Sequence, residues 1–211
     1  MLKEILVKDK SISLKDLNSF ISMANTYGVD NICLPSYFIK YVEIENVSIA
    51  AQIDFPYGLS STKTRAFETL YSISAGSNFI DLTINPFLVE NKMFGQIRDE
   101  IKHLSALCKD KRKEIRPIIE YRLCEDSVVG LCEIFCDVGV NTIISSTGTM
   151  VDDPSDNLLI ANIIKENTPL NVIINNVSRS QQIYNMFKSE MIYGLRSSSI
   201  SVIKEIFGVI Q

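Results

Sequence analysis

The sequence is poor in glycine. Nine of its 211 residues are glycine, roughly 4%, where about 7% is usual in soluble domains. Proteins that hold phosphate groups with backbone amides normally place glycine in the loops that do so. The low count therefore argues against a phosphate-cradling loop. The glycine-rich dinucleotide fingerprint is also absent after the first predicted strand.

Histidine and paired cysteines are equally scarce. The single histidine, His103, lies on a predicted helix far from any candidate serine nucleophile, so a serine–histidine couple is not expected. No CxxC pair occurs among the five cysteines, which are Cys33, Cys108, Cys124, Cys132 and Cys136. Such spacing makes a poor metal site. We expect buried, reduced thiols, as in cytoplasmic proteins, and neither a metal nor a cofactor.

Long apolar runs and basic blocks are missing as well. No stretch of about 18 apolar residues appears, so no membrane span is expected, and the first ten residues do not resemble a signal peptide. Lysine and arginine number 21 against 25 acidic residues, for a net charge of −4. The densest basic run, 109–116, is interrupted by acids. Nucleic-acid binding therefore has little support.

What the sequence has is a regular alternation of short β-rich runs and amphipathic segments. The predicted strands are Lys3–Val7, Asn31–Leu34, Ser48–Ile53, Asn78–Ile84, Ile115–Tyr121, Asn141–Ser145, Asn171–Asn175 and Met191–Leu195. The predicted helices cover 13–27, 62–75, 92–108 and 125–138, with three more opening at Asp153, Ser178 and Ser197. Only a short helical turn fits 35–41.

This alternation predicts a parallel sheet with right-handed crossovers. Eight strand–helix units in about 200 residues predict a compact (β/α)₈ barrel (TIM barrel), a single domain over residues 1–211. A doubly wound open sheet is the alternative, because counting strands does not establish closure.

Polar residues follow several predicted strands, where a barrel places its functional groups. The candidates are Asp54, Asp81, Asn85, Glu120, Ser145, Asn175, Arg196 and Ser197, with Arg179 on the next-to-last helix. They can line a polar pocket, or they can cap helices and brace turns, as Asp54 before Phe55-Pro56 would. The aromatic residues of 36–42 (Tyr37, Phe38 and Tyr41) have two interpretations, a protein contact or packing of a short helix on the barrel.

Several motifs in order resemble one family. They are "NICLPSYFI" (31–39), "AQIDFPYG" (51–58), "FIDLTIN" (79–85), "IIEYRL" (118–123) and "GVNTIISSTG" (139–148). Each is weak alone, but together they resemble deoxyribose-phosphate aldolase from about residue 3 to 205. That family consists of class I aldolases on a (β/α)₈ barrel, which use a lysine Schiff base, a second lysine that lowers the pKa of the first, and an aspartate.

Carried onto this chain, the resemblance keeps the aspartate, as Asp81, and loses both lysines. Ile144 stands at the Schiff-base position. Ile173 stands at the position of the second lysine, with Ile174 as the alternative alignment. The family's phosphate-binding Gly-Gly falls on 176–177, Asn-Val here.

The resulting hypothesis is a non-catalytic barrel that serves as a binding or assembly module, with a protein partner or its own copies. One alternative is a sugar-phosphate lyase or aldolase-type enzyme with a relocated active site, for which Lys63 is a candidate amine. Another is a phosphosugar or anion sensor that uses Arg179, Arg196 and the amides after Ser197, with affinity no tighter than roughly millimolar.

Overall fold

Eight parallel strands form a closed barrel in the computed structural model, which describes residues 1–9, 11–44, 46–124, 127–150, 154–175, 177 and 192–208. The strands are β1 (Leu2–Leu6), β2 (Asn31–Pro35), β3 (Ser48–Ile53), β4 (Phe79–Thr83), β5 (Glu114–Ile118), β6 (Thr142–Ile144), β7 (Asn171–Ile174) and β8 (Gly194–Ser197). Each pairs with its sequence neighbour.

Closure is visible at the seam between the first and last strands. Leu2 pairs with Gly194 and Glu4 pairs with Arg196, in parallel register. The predicted (β/α)₈ barrel is therefore confirmed, and the open sheet is wrong, since an open sheet would leave these two edges unpaired.

Seven α-helices surround the strands in the part of the chain that is described. They are α1 (Leu14–Thr26), α2 (Thr62–Ser74), α3 (Pro86–Glu90), α4 (Phe94–Asp110), α5 (Val128–Asp137), α6 (Pro154–Asn167) and α7 (Ile200–Gly208). Two short 3₁₀ segments, Ser36–Tyr41 and Tyr121–Leu123, complete the described elements. None of the described helices is both long and apolar enough to cross a bilayer.

The helix ends follow the signals in the sequence. Ser13, where the first helix was predicted to begin, accepts a hydrogen bond from the backbone N–H of Asp16 and donates one to the Asp16 carboxylate, so it caps α1. Ser61 caps α2 in the same way through Thr64. Residues 35–41 form only the short helix that was predicted.

Two boundaries differ from the prediction. The helix predicted over 92–108 is preceded by the separate helix α3, and Lys92, between α3 and α4, takes a positive φ of 53° that no helix accommodates. The last strand begins at Gly194 rather than Met191, which lies outside the described residues, and continues to Ser197. Arg196 is therefore inside a strand and not in the loop after it.

An apolar layer fills the space between the strands and the helices. Strand residues such as Ile5, Leu34 and Leu82 point outward and pack on helix residues such as Ile101 and Phe135. Because alternate strand residues face opposite sides, the remaining strand positions face the barrel interior. Those inward positions determine what chemistry the barrel can hold.

Gly194 lies at a close approach within the barrel seam. A Cβ atom at this position would lie 2.9 Å from the Cβ atom and 3.2 Å from the carbonyl oxygen of Leu2, and 3.3 Å from Cγ1 of Ile173. These neighbours belong to strands on both sides, so they cannot withdraw without disturbing closure.

We therefore expect Gly194→Ala to lower the free energy of unfolding by about 1–3 kcal/mol through overpacking. Gly95→Ala is the control, because Gly95 lies near the start of α4 with no atom within 4 Å of its virtual Cβ. That change should be neutral or stabilising by up to about 1 kcal/mol. Chemical denaturation measures both, and equal effects would contradict the close approach.

Candidate functional site

Four charged side chains meet inside the barrel and form the interior charge network: Glu4, Asp81, Arg116 and Arg196. Arg116 contacts Glu4 at 2.5 Å through Nη1 and Asp81 at 2.7 Å through Nε. Nη2 of Arg196 contacts both carboxylates at 2.6 Å. Each carboxylate is thus bound by both guanidinium groups, and all four side chains are at most 1% exposed.

Strand alternation brings these residues together. Glu4, Asp81, Arg116 and Arg196 occupy inward positions of β1, β4, β5 and β8. Asp81 pairs in register with Arg116, and Glu4 pairs with Arg196 across the seam. The Asp81–Arg116 pair and the Glu4–Arg196 pair then contact each other across the barrel centre. Asp81 was expected at the strand ends, but it lies in the middle of β4, two residues before Thr83, the last residue of the strand.

The network shifts the pKa values of three of its members. Burial alone raises the pKa of the Glu4 carboxyl, but the charges of Arg116 and Arg196 and a hydrogen bond from Asn31 outweigh burial and lower the pKa to about 2. Burial acts in the opposite sense on the guanidinium groups, yet the two carboxylates raise the pKa of Arg116 and of Arg196. Glu4, Arg116 and Arg196 are thereby held in their charged forms.

The thiol of Cys33 adjoins this network, with Sγ at 3.7 Å from Oε2 of Glu4. Burial raises the pKa of Cys33 well above its ordinary value, which keeps the thiol protonated and unreactive. All five cysteines are free; Cys33, Cys108, Cys124 and Cys132 are buried and Cys136 is partly exposed. The expected burial therefore holds for four of the five cysteines and not for Cys136.

An apolar cluster occupies the interior at the ends of β5, β6 and β7. Ile118, Ile144 and Ile173 are fully buried and pack together, with Leu2 and Phe55 against them. This isoleucine cluster contains both positions at which the resemblance expects lysine. Of the two alignments for the second lysine, Ile173 faces the interior, whereas Ile174 packs in the layer between strands and helices.

A cleft of about 840 Å³ opens at the mouth of the barrel, above the strand ends. This mouth cleft is lined by Gln52 of β3 and by residues that follow β1, β2, β3 and β6, including Lys8, Tyr37, Tyr57 and Thr149. Nζ of Lys8 donates a hydrogen bond to the carbonyl oxygen of Gly148 at 2.7 Å. Phe55 lines the cleft and also packs on the isoleucine cluster, so it lies between the cleft and Ile144.

Asp54 lines the cleft but is already engaged in a turn. Its carboxylate accepts hydrogen bonds from the backbone N–H and the hydroxyl of Ser60 and from Nε of Arg65. Arg65 is buried and also contacts Glu100 at 2.6 Å, while the Asp54 backbone N–H donates to Glu68. These contacts hold Asp54 at a φ of 52°, and they match the turn-bracing interpretation of the sequence.

The other strand-end candidates also bond to the protein itself. Asn85 caps α3, accepting from the N–H groups of Phe87 and Leu88. The Oε2 atom of Glu120 accepts hydrogen bonds from the backbone N–H and the hydroxyl of Thr147. These contacts stabilise the loops after β4 and β5.

Ser145 and Asn175 form one buried cluster with a residue that the sequence did not indicate. The Ser145 hydroxyl donates to Oδ1 of Asn157 at 2.7 Å and accepts a hydrogen bond from the N–H of Asn175. Nδ2 of Asn175 donates to the carbonyl of Ser146. The structure thus brings Ser145 and Asn175 together, and both are buried.

The expected anion position is not assembled as the sequence suggested. Arg196 points into the barrel interior, because it is an inward residue of β8. Ser197 is the last residue of that strand and donates a hydrogen bond to the carbonyl of Val177; α7 begins three residues later. Arg179 lies outside the described residues. Lys63, the candidate relocated amine, is exposed in the first turn of α2.

Sequence reasoning missed Glu4, Arg116, Arg65 and Lys8. A signal existed for the first two, since "LKEIL" and "EIRPI" each place a charged residue, Glu4 or Arg116, directly beside the apolar residues of a strand. A charge at an inward strand position requires a buried partner. No comparable signal marks Lys8, whose place in the cleft depends on the loop after β6.

No family model matches the chain. The deoxyribose-phosphate aldolase of Clostridium botulinum (strain Eklund 17B / Type B) is 29% identical over 137 residues, which cover 63% of this chain and 61% of that protein. The matched segment thus spans less than two thirds of that relative. The corresponding enzyme of Streptococcus agalactiae serotype Ia is 29% identical over 138 residues, covering 63% of this chain and 60% of the enzyme.

Solved structures share the fold. An aldolase named QR15 matches with a TM-score of 0.84 at 20% identity, covering 99% of this chain and 94% of that one. The deoxyribose-phosphate aldolase of Aeropyrum pernix, described as a tetramer, matches with a TM-score of 0.80 at 17% identity, covering 100% and 90%. The chain therefore resembles deoxyribose-phosphate aldolases in sequence and has the barrel fold of such aldolases.

The interior charge network predicts a large cost for removing one of its charges. Asp81→Asn keeps the side-chain shape but leaves two buried guanidinium groups with one carboxylate, so we expect a loss of about 3–5 kcal/mol in the free energy of unfolding. The control is Asp137→Asn, which breaks an exposed contact with Arg98 and should cost at most about 1 kcal/mol. Urea unfolding compares them, and a small effect at Asp81 would contradict the network.

The pKa of Glu4 predicts acid sensitivity. Because it falls from the ordinary value of 4.5 to about 2 in the folded protein, the ionised carboxylate stabilises the fold above about pH 4.5, and this contribution is lost as the pH falls toward 2. Glu4→Gln should lower stability near pH 7, and its difference from the unmodified protein should shrink over that window. Glu90→Gln, at an exposed site, is the control. A difference independent of pH would count against this assignment.

Proposed function

We propose that this chain is an aldolase-like barrel that forms no Schiff base and acts as a binding or assembly module. The observation that carries the proposal is the isoleucine cluster. Ile144, at the position where the resemblance expects the reactive lysine, is fully buried against Ile118 and Ile173. A Schiff base requires a primary amine, and an alkyl side chain supplies none.

The residue at the position of the second lysine also argues against Schiff-base formation. In the aldolases that the chain resembles, a neighbouring ammonium lowers the pKa of the reactive amine through like-charge repulsion. Ile173 offers no charge and, with Ile118 and Phe55, encloses Ile144 in apolar surface. A charged substrate would have to enter that space without a polar partner, at a high desolvation cost.

Asp81 is not available as a proton carrier in this arrangement. One of its carboxylate oxygens accepts a hydrogen bond from Arg116, and the other accepts one from Arg196. General acid–base catalysis needs a group within hydrogen-bond reach of the substrate. A fully buried carboxylate bound on both oxygens by guanidinium groups serves structure instead.

Within the described residues, two kinds of surface support binding. The mouth cleft has the volume of a small-molecule site, which is typically about 300–1,000 Å³, and it combines Lys8 and Gln52 with the aromatic side chains of Tyr37 and Tyr57. The outside of the barrel offers protein contacts. Self-association belongs to the proposal as well, because a structural relative from Aeropyrum pernix is described as a tetramer.

The second candidate is an enzyme whose active site has moved to the mouth cleft. The observation that favours it is Lys8, an amine in the cleft wall and about half-buried. It replaces Lys63 as the candidate relocated amine, because Lys63 is exposed on the outside of α2. The anion-sensor alternative loses support, since the Arg196 guanidinium is bound to Glu4 and Asp81.

We expect no imine trapping. Incubation with acetaldehyde and borohydride should modify surface lysines only partially and unselectively and should give no stoichiometric adduct on one lysine, because Ile144 stands at the position of the reactive amine. An active deoxyribose-phosphate aldolase treated in parallel should gain one ethyl group on its reactive lysine. A specific ethylated lysine in this chain would overturn the non-catalytic proposal, and Lys8→Arg would then show whether the active site has moved to the cleft.

Restoring the amine alone should restore little. Ile144→Lys places an ammonium among Ile118, Ile173 and Phe55, so we expect a loss of stability of several kcal/mol and no measurable cleavage of deoxyribose phosphate. Ile144→Met, which conserves volume, should cost less than about 1.5 kcal/mol. Substantial cleavage by the lysine variant would mean that the rest of the catalytic site is intact.

A further inference from the structure

The wall of the mouth cleft contains a buried amide, the side chain of Gln52. This residue lies near the end of β3, and its neighbours Ala51 and Ile53 pack in the layer between the strands and the helices. Because successive strand residues face opposite sides, the Gln52 side chain is directed to the inside of the barrel. It lines the cleft there while only 4% exposed, so it belongs to the base of the cleft and not to its rim.

The Gln52 amide has hydrogen-bonding capacity that the described part of the chain does not use. Its Nε2 atom donates only to the carbonyl oxygen of Cys33, at a long distance of 3.5 Å, and no described residue donates a hydrogen bond to its Oε1 atom. By contrast, the buried amide of Asn31 donates to the Glu4 carboxylate at 2.6 Å. Buried polar atoms in folded proteins are normally paired. An unpaired acceptor at the base of a cleft therefore indicates a ligand that donates to it.

The charges of the cleft wall argue against an anionic ligand. Among the described lining residues Lys8 supplies a cation, whereas Asp54 and Glu68 each supply a carboxylate. Asp54 is paired with the buried Arg65, and the Glu68 carboxylate accepts hydrogen bonds from Ser36 and from the backbone N–H of Asp54. A phosphate group would meet like charge here without enough positive charge to compensate. We therefore expect an uncharged ligand.

Aromatic side chains form much of the remaining wall. Phe55 and Tyr57 belong to the turn after β3, and Tyr37 belongs to the 3₁₀ segment after β2. Phe55 is held by the isoleucine cluster, and the Tyr37 hydroxyl lies 3.0 Å from that of Tyr41. Rings that are ordered in advance lose little freedom on binding. Tyr57 is 68% exposed, so a flat unsaturated ring that stacks on it covers apolar surface that a polyhydroxy chain would leave in water.

We infer that the mouth cleft binds an uncharged planar ring that contains a cyclic amide, the chemical class to which pyrimidine bases belong. A cyclic amide carries an N–H next to a carbonyl, and a primary amide carries the complementary pair of acceptor and donor. The ring N–H donates to Oε1 of Gln52, and the neighbouring carbonyl accepts from Nε2. The ring itself stacks on Tyr57. This inference rests on the proposed binding role of the cleft and adds the class of ligand.

Ligand-observed NMR on the unmodified chain tests the inference with uracil as the probe. We expect a Kd on the order of 0.1–1 mM, as for a small fragment with few contacts. Uracil methylated on both ring nitrogens keeps the ring and both carbonyls but has no N–H donor, so it should bind at least tenfold more weakly. Ribose should not bind because it lacks a planar ring, and deoxyribose phosphate should not bind because it also carries negative charge.

Two pairs of variants assign the contacts. Gln52→Met keeps the length of the side chain but removes both hydrogen bonds to the ligand, so uracil should bind at least tenfold more weakly; Gln96→Met, at an exposed site on α4, is the matched control. Tyr57→Ala should weaken binding about fivefold or more through lost stacking. Its control is Phe87→Ala, because Phe87 is 59% exposed on α3. Both controls should bind uracil like the unmodified chain, and circular dichroism verifies that each variant is folded.

The possible results separate this inference from the proposed function. Unchanged uracil binding by Gln52→Met, or equal binding of uracil and its methylated form, would overturn the inference. Absence of uracil binding, or binding of ribose or deoxyribose phosphate in its place, would overturn it too. None of these results alters the outcome of imine trapping. A specific ethylated lysine would overturn the non-catalytic proposal, whichever ring the cleft binds.

Discussion

Everything inside this barrel depends on four charges that cannot be left unpaired. Each of the two carboxylates is bound by both guanidinium groups, within an interior where an isolated charge is very costly. The contacts join β1, β4, β5 and β8, and one of them crosses the seam at which the barrel closes. A shift of one residue in any of these strands would move a charge out of the interior, so the network restricts strand register as well as composition.

The network also limits which interior groups are available to a substrate. Asp81 has the residue type expected of a catalytic aspartate, yet it serves as a counter-ion to Arg116 and Arg196. The isoleucine cluster fills the space where an amine would be needed, and Phe55 covers it toward the mouth. An apolar plug and a neutral charge network leave the interior without a solvated polar group for a substrate. For this reason the proposed function is assigned to the mouth cleft and to the outer surface of the barrel.

The surface beside the mouth cleft depends on the structure of the second strand–helix unit, which consists of β2 and the 3₁₀ segment Ser36–Tyr41. A six-residue 3₁₀ segment stands where other units carry longer helices, so one flank of α2 is covered only by Ser36–Tyr41. Glu68 turns inward to hold this segment and the Asp54 turn. The same contacts leave Tyr37 and Tyr41 exposed. Because Tyr37 also lines the mouth cleft, the bracing of this one segment shapes part of the cleft wall.

The sequence by itself determined the eight strand–helix units, most helix ends and the identity of the residue at position 144, whereas closure of the barrel was decided by the pairing of β1 with β8. These are local properties of the chain: the alternation of strands and helices, the capping residues such as Ser13, and the type of each side chain. Ile144 has no amine, whatever residues surround it. Only the tertiary structure decided that Arg196 belongs to β8 and faces inward, and that it meets Glu4 and Asp81. Those partners lie 192 and 115 residues away in the chain. The predicted last strand ended at Leu195, two residues before its observed end at Ser197, and this boundary error was enough to place Arg196 in a loop. Within the strand, successive side chains face opposite sides, and this alternation turns Arg196 toward the interior.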